Sequence, residues 1–170
     1  MHIHAPLIEE CRKGNEIARF RVYNKYSKAM YNLAHRMLNN REDAEDILQE
    51  TFTDCFMNIS SFRFESTFGA WLKRILINKC MNHLKRKKID LMLTDNLLND
   101  VYEEEDETVY DISKIIKGIE MLPDGYRVIL TLYLLEGYDH SEISQILGIS
   151  ESTSKSQYSR AKSKLRNQLS

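Results

Sequence analysis

Residues 141–150, Ser-Glu-Ile-Ser-Gln-Ile-Leu-Gly-Ile-Ser, run directly into 151–165, Glu-Ser-Thr-Ser-Lys-Ser-Gln-Tyr-Ser-Arg-Ala-Lys-Ser-Lys-Leu. Ile143 and Leu147 stand four apart, on the buried side of a short helix that Gly148 ends by accepting a left-handed backbone. Ser150 is placed to cap a second helix at once, and Thr153 adds a hydroxyl to its first turn. Lys155, Ser156, Ser159, Arg160, Lys162 and Lys164 populate the polar surface of that helix. A tight glycine turn between two helices, the second one basic, is helix-turn-helix organisation, which lays its second helix in the major groove of DNA. A basic terminal helix is also a common solvated surface, but the glycine, the apolar spacing and the charge together favour DNA. Upstream, Ile112, Ile115, Ile116, Ile119 and Leu122 lead to a break at Pro123-Asp124, and Val128, Ile129, Leu132 and Leu135 precede Gly137. Two short helices therefore precede the motif.

The rest of the 170 residues agrees with an all-α chain. Six Gly, two Pro and frequent Leu, Ile, Lys, Glu and Asn favour helices over a turn-rich sheet sandwich. A 42% apolar content suffices for one large core or two small ones. No basic leader precedes an apolar run and no eighteen consecutive residues are apolar, so neither export nor membrane insertion is expected and the cytoplasm is the expected location. Cys11, Cys55 and Cys80 are far apart and odd in number, without metal or redox spacing, and read as buried thiols, with a redox role left open.

Net charge is −1, yet residues 91–112 carry Asp95, Asp100, Glu103, Glu104, Glu105, Asp106, Glu107 and Asp111 with no Lys or Arg. The remainder is therefore basic, and charge must be read by segment. The weakly periodic 91–112 stretch reads as an acidic flexible linker between a domain at 1–90 and a second at 113–170.

Within 1–90, Ile17, Phe20, Met30, Leu33, Ala34 and Met37 predict a long amphipathic helix that stops at Asn39-Asn40. Ala44, Ile47, Leu48, Phe52, Cys55, Phe56 and Ile59 predict the next, ending at Ser60-Ser61. Its first turns hold Glu42, Asp43, Glu45 and Asp46, which complement the helix dipole at about 0.3–1 kcal/mol each. Continued by Gln49, Glu50 and Asp54, the acids also suit docking to a basic partner; the pattern supports capping and docking equally.

A further helix is expected from an N-cap at Ser66, with Phe68, Trp71, Leu72, Ile75 and Leu84 on its buried side. Arg74, Asn78, Asn82 and Lys85 share its opposite face, extended by Arg86, Lys87 and Lys88. Such a face can follow phosphates, while Asn amides bond the edges of unpaired bases. Phe62, Phe64 and Phe68 offer stacking worth about 1–3 kcal/mol per base, or simple core packing. The core is favoured for Phe68 and Trp71, whereas Phe62 and Phe64 stay open.

Taken together, three stretches resemble the extracytoplasmic-function class of bacterial RNA polymerase sigma factors. Asp43-Ala44-Glu45-Asp46-Ile47-Leu48-Gln49-Glu50-Thr51-Phe52 resembles their core-polymerase-binding signature. Ser61 to Leu72, followed by Arg74-Ile75 and Asn78, resembles the part that binds and opens the minus-ten element. Leu122-Pro123 with Tyr126-Arg127, then Glu142-Ile143 through Ser150 and Thr153 to Arg160-Ala161, resembles the domain that reads the minus-thirty-five element. Neither an extra amino-terminal domain nor a folded domain between the two is expected, which matches this class rather than the larger housekeeping factors.

The resemblance implies a non-catalytic subunit that directs promoter-specific initiation, including promoter opening. Its implied partners are core RNA polymerase (clamp helices and flap), promoter DNA and an anti-sigma factor, with no cofactor and no metal. It places Asp43, Asp46, Gln49, Glu50 and Phe52 on the polymerase. It places Asn78 and Phe62 at a flipped base, and Arg74, Lys79 and Asn82 on the melted strand. Lys155, Ser156, Gln157, Ser159 and Arg160 then fall on the minus-thirty-five duplex. This sequence departs from the family at Ser154, usually apolar and so expected to loosen helix packing. It departs also at Gln157, often basic, and at Ser144, commonly Ala. The acidic linker is implied either to imitate RNA in the polymerase exit region or to act as a solvated tether.

An autonomous helix-turn-helix regulator with a sensing or dimerising first domain is the competing reading. It gives no reason for an acidic helix beside a basic, Asn-bearing one. An enzyme is disfavoured because His2, His4, His35, His83 and His140 are scattered, with no phosphate loop, metal spacing or nucleophile elbow.

Overall fold

The structure, a computed structural model, describes residues 5–92 and 111–170, with side chains described as far as Lys87 in the first stretch. The expected linker therefore lies almost wholly outside the described residues, as does the side chain of Lys88. Every regular element among the described residues is helical. In order they are α1 (Ala5–Arg12), α2 (Glu16–Leu38), α3 (Arg41–Met57), a 3₁₀ turn at Ile59–Ser61, α4 (Phe68–Met92), α5 (Ile112–Glu120), α6 (Asp124–Leu130), a π turn at Thr131–Leu135, α7 (His140–Leu147) and α8 (Glu151–Leu169). The chain divides into two compact units, Met1–His83 and Leu84–Ser170.

In the amino-terminal unit, consecutive asparagines form the whole joint between α2 and α3. Asn39 takes the left-handed conformation, φ 49°, and its N–H bonds the carbonyl of His35, which ends α2. Asn40 is extended, and its side chain accepts from the Asp43 N–H at 3.0 Å, which starts α3. With no loop between them, the helices lie against each other and bury Val22, Met30, Leu33, Ala34 and Met37 with Ala44, Ile47, Leu48 and Cys55. Leu72, Leu76, Ile77 and Cys80 of α4 complete the core. Ile17 and Phe20, expected on the apolar side of α2, are 67% and 63% exposed. The α2 residues buried near that end are instead Ala18 and Val22, while Ile8 and Cys11 are buried on α1, a helix the apolar pattern did not reveal. The N-cap of α4 also shifts by one residue. Thr67, not Ser66, accepts the N–H of Ala70 through its hydroxyl at 3.2 Å.

In the carboxyl-terminal unit, Asp111 caps α5 by accepting the Ser113 N–H at 3.1 Å. Ile112 is 74% exposed: it shares a face with buried Ile119 but stands two turns earlier, at the first residue of α5. Gly118 marks a close approach of α5 to α8: a Cβ there would lie 2.6 Å from Leu165 Cδ1. Arg127 is the buried charge among the described residues of this unit. Its guanidinium donates to the Leu122 carbonyl at 2.8 Å and pairs with Asp124, so it fastens the start of α6 to the turn that follows α5. The core adds Leu122, Val128, Ile129, Leu130, Leu132, Ile143, Ile146, Ala161 and Leu165. Leu147 is only half-buried, and Ile146 occupies the deeper position expected for it.

Candidate nucleic-acid interface

The helix-turn-helix is formed by α7, the Gly148 turn and α8. Asp139 and Glu142 build a reciprocal capping box at the start of α7, with bonds of 2.8 and 2.9 Å. Gly148 ends α7 at φ 66°. Ser150 then caps α8, accepting the Thr153 N–H at 3.0 Å. Lys155, Ser156, Ser159 and Arg160 are all exposed and share one face of α8. Gln157 is half-buried, off that face and next to the buried stripe of Ser154, Ala161 and Leu165. The Ser156 hydroxyl donates back to the Thr153 carbonyl at 3.0 Å, which leaves its oxygen as an acceptor for an outside donor. Lys155 pairs at 2.7 Å with Glu151, an exposed contact of one helical turn.

Ser154 does not loosen the packing. It is completely buried and shares a 2.9 Å hydrogen bond with His140 Nδ1 at the start of α7. The His140 ring stacks on Tyr133 at 4.7 Å and meets Tyr158 edge-on at 5.4 Å. A polar group at this depth is tolerated because its partner is built in. Burial raises the Tyr158 phenol above its ordinary value.

In the other unit, α3 divides its acids between two directions. Glu42, Asp46, Gln49 and Glu50 are exposed, whereas Asp43 and Asp54 are half-buried. Asp43, Glu50 and Asp54 face Lys79 and His83 of α4. His83 Nε2 lies 3.0 Å from Asp43 Oδ2, and Lys79 Nζ lies 2.7 Å from Asp54 Oδ2 and 3.6 Å from Glu50 Oε2. Lys79, expected on the melted strand, thus ties the two helices here, with a side chain 20% exposed. Arg74, Asn78 and Asn82 do stand exposed on one face of α4, followed on the same helix by exposed Lys85, Arg86 and Lys87.

Two aromatic members of the expected sites lie in the core. Phe52 is 4% exposed and packs on Tyr23 at 4.8 Å, joining α3 to α2. Phe62 is 3% exposed, with its ring against Phe64, Phe68 and Trp71 at 4.7–5.5 Å. Both rings are covered by neighbouring side chains in this structure. Apolar spacing carried that signal for Phe52, which continues the buried stripe of α3, but not for Phe62, which lies beyond it in a loop. Sequence reasoning missed Arg12, which bonds the backbone of the loop carrying Phe62. All three thiols are buried; burial raises Cys11 and pushes Cys55 and Cys80 up to about 12. They are held as inert thiols at neutral pH. The described residues hold no cluster of His, Cys, Asp and Glu fit for a metal, and none of their helices is long and apolar enough to cross a membrane.

A helical unit with adjoining acidic and basic faces, and a second unit with a basic helix-turn-helix, define a DNA-binding protein of the transcription apparatus. Comparison with known proteins agrees. Residues 22–89 match the family Sigma-70 region 2, and residues 112–165 match Sigma-70, region 4. The ECF RNA polymerase sigma factor SigW of Bacillus subtilis is 32% identical over 95% of this chain and 94% of its own length. SigM of the same organism is 30% identical over 85% of this chain and 91% of its own. Among solved structures, the sigma factor RpoE of Bartonella quintana, in complex with the anti-sigma factor NepR, superposes with a TM-score of 0.62 at 22% identity, covering 88% of this chain and 94% of its own. CnrH, in complex with the cytosolic domain of CnrY, gives 0.59 at 22% identity, covering 96% and 94%. The chain belongs to the extracytoplasmic-function family of RNA polymerase sigma factors. It acts with RNA polymerase to direct promoter-specific transcription initiation.

Proposed function

We propose that the two units divide the work at residues 1–90 and 113–170, with separate surfaces of α3, α4 and α8 serving polymerase, the minus-ten strand and the minus-thirty-five duplex. The exposed acids of α3, Asp46 and Glu50 with Gln49 beside them and Asp43 at the edge, dock on basic elements of core polymerase. On α4, Arg74 and Lys85 follow phosphates while Asn78 and Asn82 bond the edges of unpaired bases. Phe52 and Phe62 support these surfaces from beneath. On α8, Lys155 and Arg160 engage phosphates or guanine edges, Ser156 and Ser159 complete the groove face, and Gln157 contributes from its margin. The chain catalyses nothing: strand opening proceeds because binding to unpaired bases offsets an unstacking cost of a few kcal/mol per step. A protein working on the chromosome with polymerase works in the cytoplasm. An anti-sigma partner is proposed because the structural relatives RpoE and CnrH are solved with NepR and CnrY.

The observation that carries this reading is the adjacency on one unit of an exposed acidic helix face and a basic, Asn-bearing one, tied together through Lys79 and His83. In vitro transcription with purified core polymerase and a genomic promoter pool tests it. Asp46→Arg should abolish promoter-specific initiation by weakening assembly, and Asn78→Ala should weaken or redirect it with assembly intact. Unchanged initiation in both variants would place the working surfaces elsewhere on the unit.

A further inference from the structure

Arg12 lies on α1, outside the residues that match region 2, yet its guanidinium reaches across the unit to the loop between α3 and α4. Its Nε donates to the Ile59 carbonyl at 3.3 Å, and its Nη2 donates to the Phe62 carbonyl. Nη1 pairs with Glu9 at 2.6 Å, and the cation sits 5.0 Å from the centre of the Phe64 ring. All three nitrogens and the cation's face are therefore committed, a geometry that a planar fork satisfies and a single ammonium does not.

What Arg12 grips is unusual. Phe64 has φ 58°, a left-handed backbone that a bulky side chain adopts only when its surroundings impose it. Below it, the Phe62 ring is fixed among Phe68 and Trp71. Above it stands Arg12. Between those two anchors, Arg63, Glu65, Ser66 and Thr67 are exposed, so the direction in which they project is set by the conformation of Phe64.

We propose that Arg12 is a positioning residue for base selection: by clasping the Ile59 and Phe62 carbonyls and covering the Phe64 ring, it holds the 62–67 loop in the shape that presents Arg63 and Glu65 to an unpaired promoter base. The proposal rests on the reading that this unit engages the opened minus-ten strand. It differs from a role in mere stability, because loss of folded protein weakens binding to all sequences alike, whereas a displaced loop changes the ratio between them.

The test uses full-length protein assembled with core polymerase, incubated with short random-sequence single-stranded DNA; bound molecules are recovered and sequenced. Arg12→Ala should assemble normally but lower the enrichment of the preferred base by roughly fivefold or more, the discrimination one well-placed polar pair supplies. Arg12→Lys should behave like Arg12→Ala, and Glu9→Gln, which leaves the carbonyl clasp intact, like wild type. Equal enrichment of the same bases by wild type, Arg12→Ala and Arg12→Lys would overturn the proposal. If Arg12→Ala is unfolded, as Trp71 fluorescence would reveal, the comparison passes to Arg12→Lys with the same two outcomes. Failure of the underlying reading has its own signature: the wild-type holoenzyme would enrich no base, and Arg63→Ala with Glu65→Ala would change nothing.

Discussion

In the amino-terminal unit, α4 is joined to α3 at the solvent edge by Lys79 and His83, whereas in the carboxyl-terminal unit α8 is joined to α7 through buried Ser154 and His140. Partly exposed ion pairs are worth about 0–1 kcal/mol and weaken with salt. A buried hydrogen bond is directional and insensitive to salt, and it leaves no room for added volume. The first joint therefore yields to ionic strength and the second to shape. The acidic and basic side chains proposed to serve partners on α3 and α4 also hold the two helices together, while α8 keeps its charges for the exposed face.

The largest difference between the units should emerge in alkali, because all three cysteines are in the first. Cys55 and Cys80 move from 9.0 to about 12 in the folded state. Below pH 9 both folded and unfolded chains keep the protons and stability is complete. Between pH 9 and 12 the unfolded chain releases them and the folded one does not. Stability of this unit then falls by about 1.4 kcal/mol per pH unit for each thiol. The second unit has Tyr158, raised from 10.0, and no thiol, so its loss should begin later. Trp71, the single tryptophan, reports the first unit alone. Its fluorescence should show denaturation at lower pH than the carboxyl-terminal unit, followed there by amide exchange, and Cys80→Ala should reduce the slope by about 1.4 kcal/mol per pH unit. Simultaneous loss in both units would remove the distinction.

Next in size, Ser154→Leu should destabilise the carboxyl-terminal unit by about 2–3 kcal/mol, through overpacking and the loss of His140's partner. Thermal unfolding followed by amide exchange should place the effect in that unit, with minus-thirty-five binding reduced and Trp71 unperturbed. A neutral result would mean that the site accepts the apolar residue usual in the family. The smallest effect belongs to the exposed joint. Lys79→Met should cost about 1 kcal/mol at low salt and almost nothing at high salt. A cost independent of salt would show that packing of the lysine stem, not charge, joins α3 to α4.

The helical class, the turn at Gly148 and the stop at Asn39-Asn40 were legible because each rests on local chemistry: a left-handed residue, a cap, a 3.6-residue stripe. The exposed faces of α4 and α8 followed from the same periodicity. What escaped were properties that depend on which helix lies beside which. Lys79 and His83 stand one turn apart, and Asp43, Glu50 and Asp54 form a matching stripe. Only their juxtaposition turns an expected DNA contact into an interhelical tie. Ser154 looked like a defect because its partner is fourteen positions away in another helix. Arg12 gave no signal, since its bonds reach carbonyls 47 and 50 positions along the chain. Ile17 and Phe20 misled because an apolar stripe marks burial only where a neighbouring element covers it.

The paired asparagines at 39 and 40 carry a consequence for how this protein can change over generations. One ends α2 and the next begins α3, so nothing between them can absorb an added or missing residue. A residue inserted in the first turn of α3 would rotate everything after it by about 100°. Asp46 and Glu50 would move into the buried places of Ile47 and Thr51, and Leu48 into the exposed place of Gln49. Point mutations can retune the charge of this helix one position at a time, but its reading frame is closed: the surface can be respelled, not lengthened.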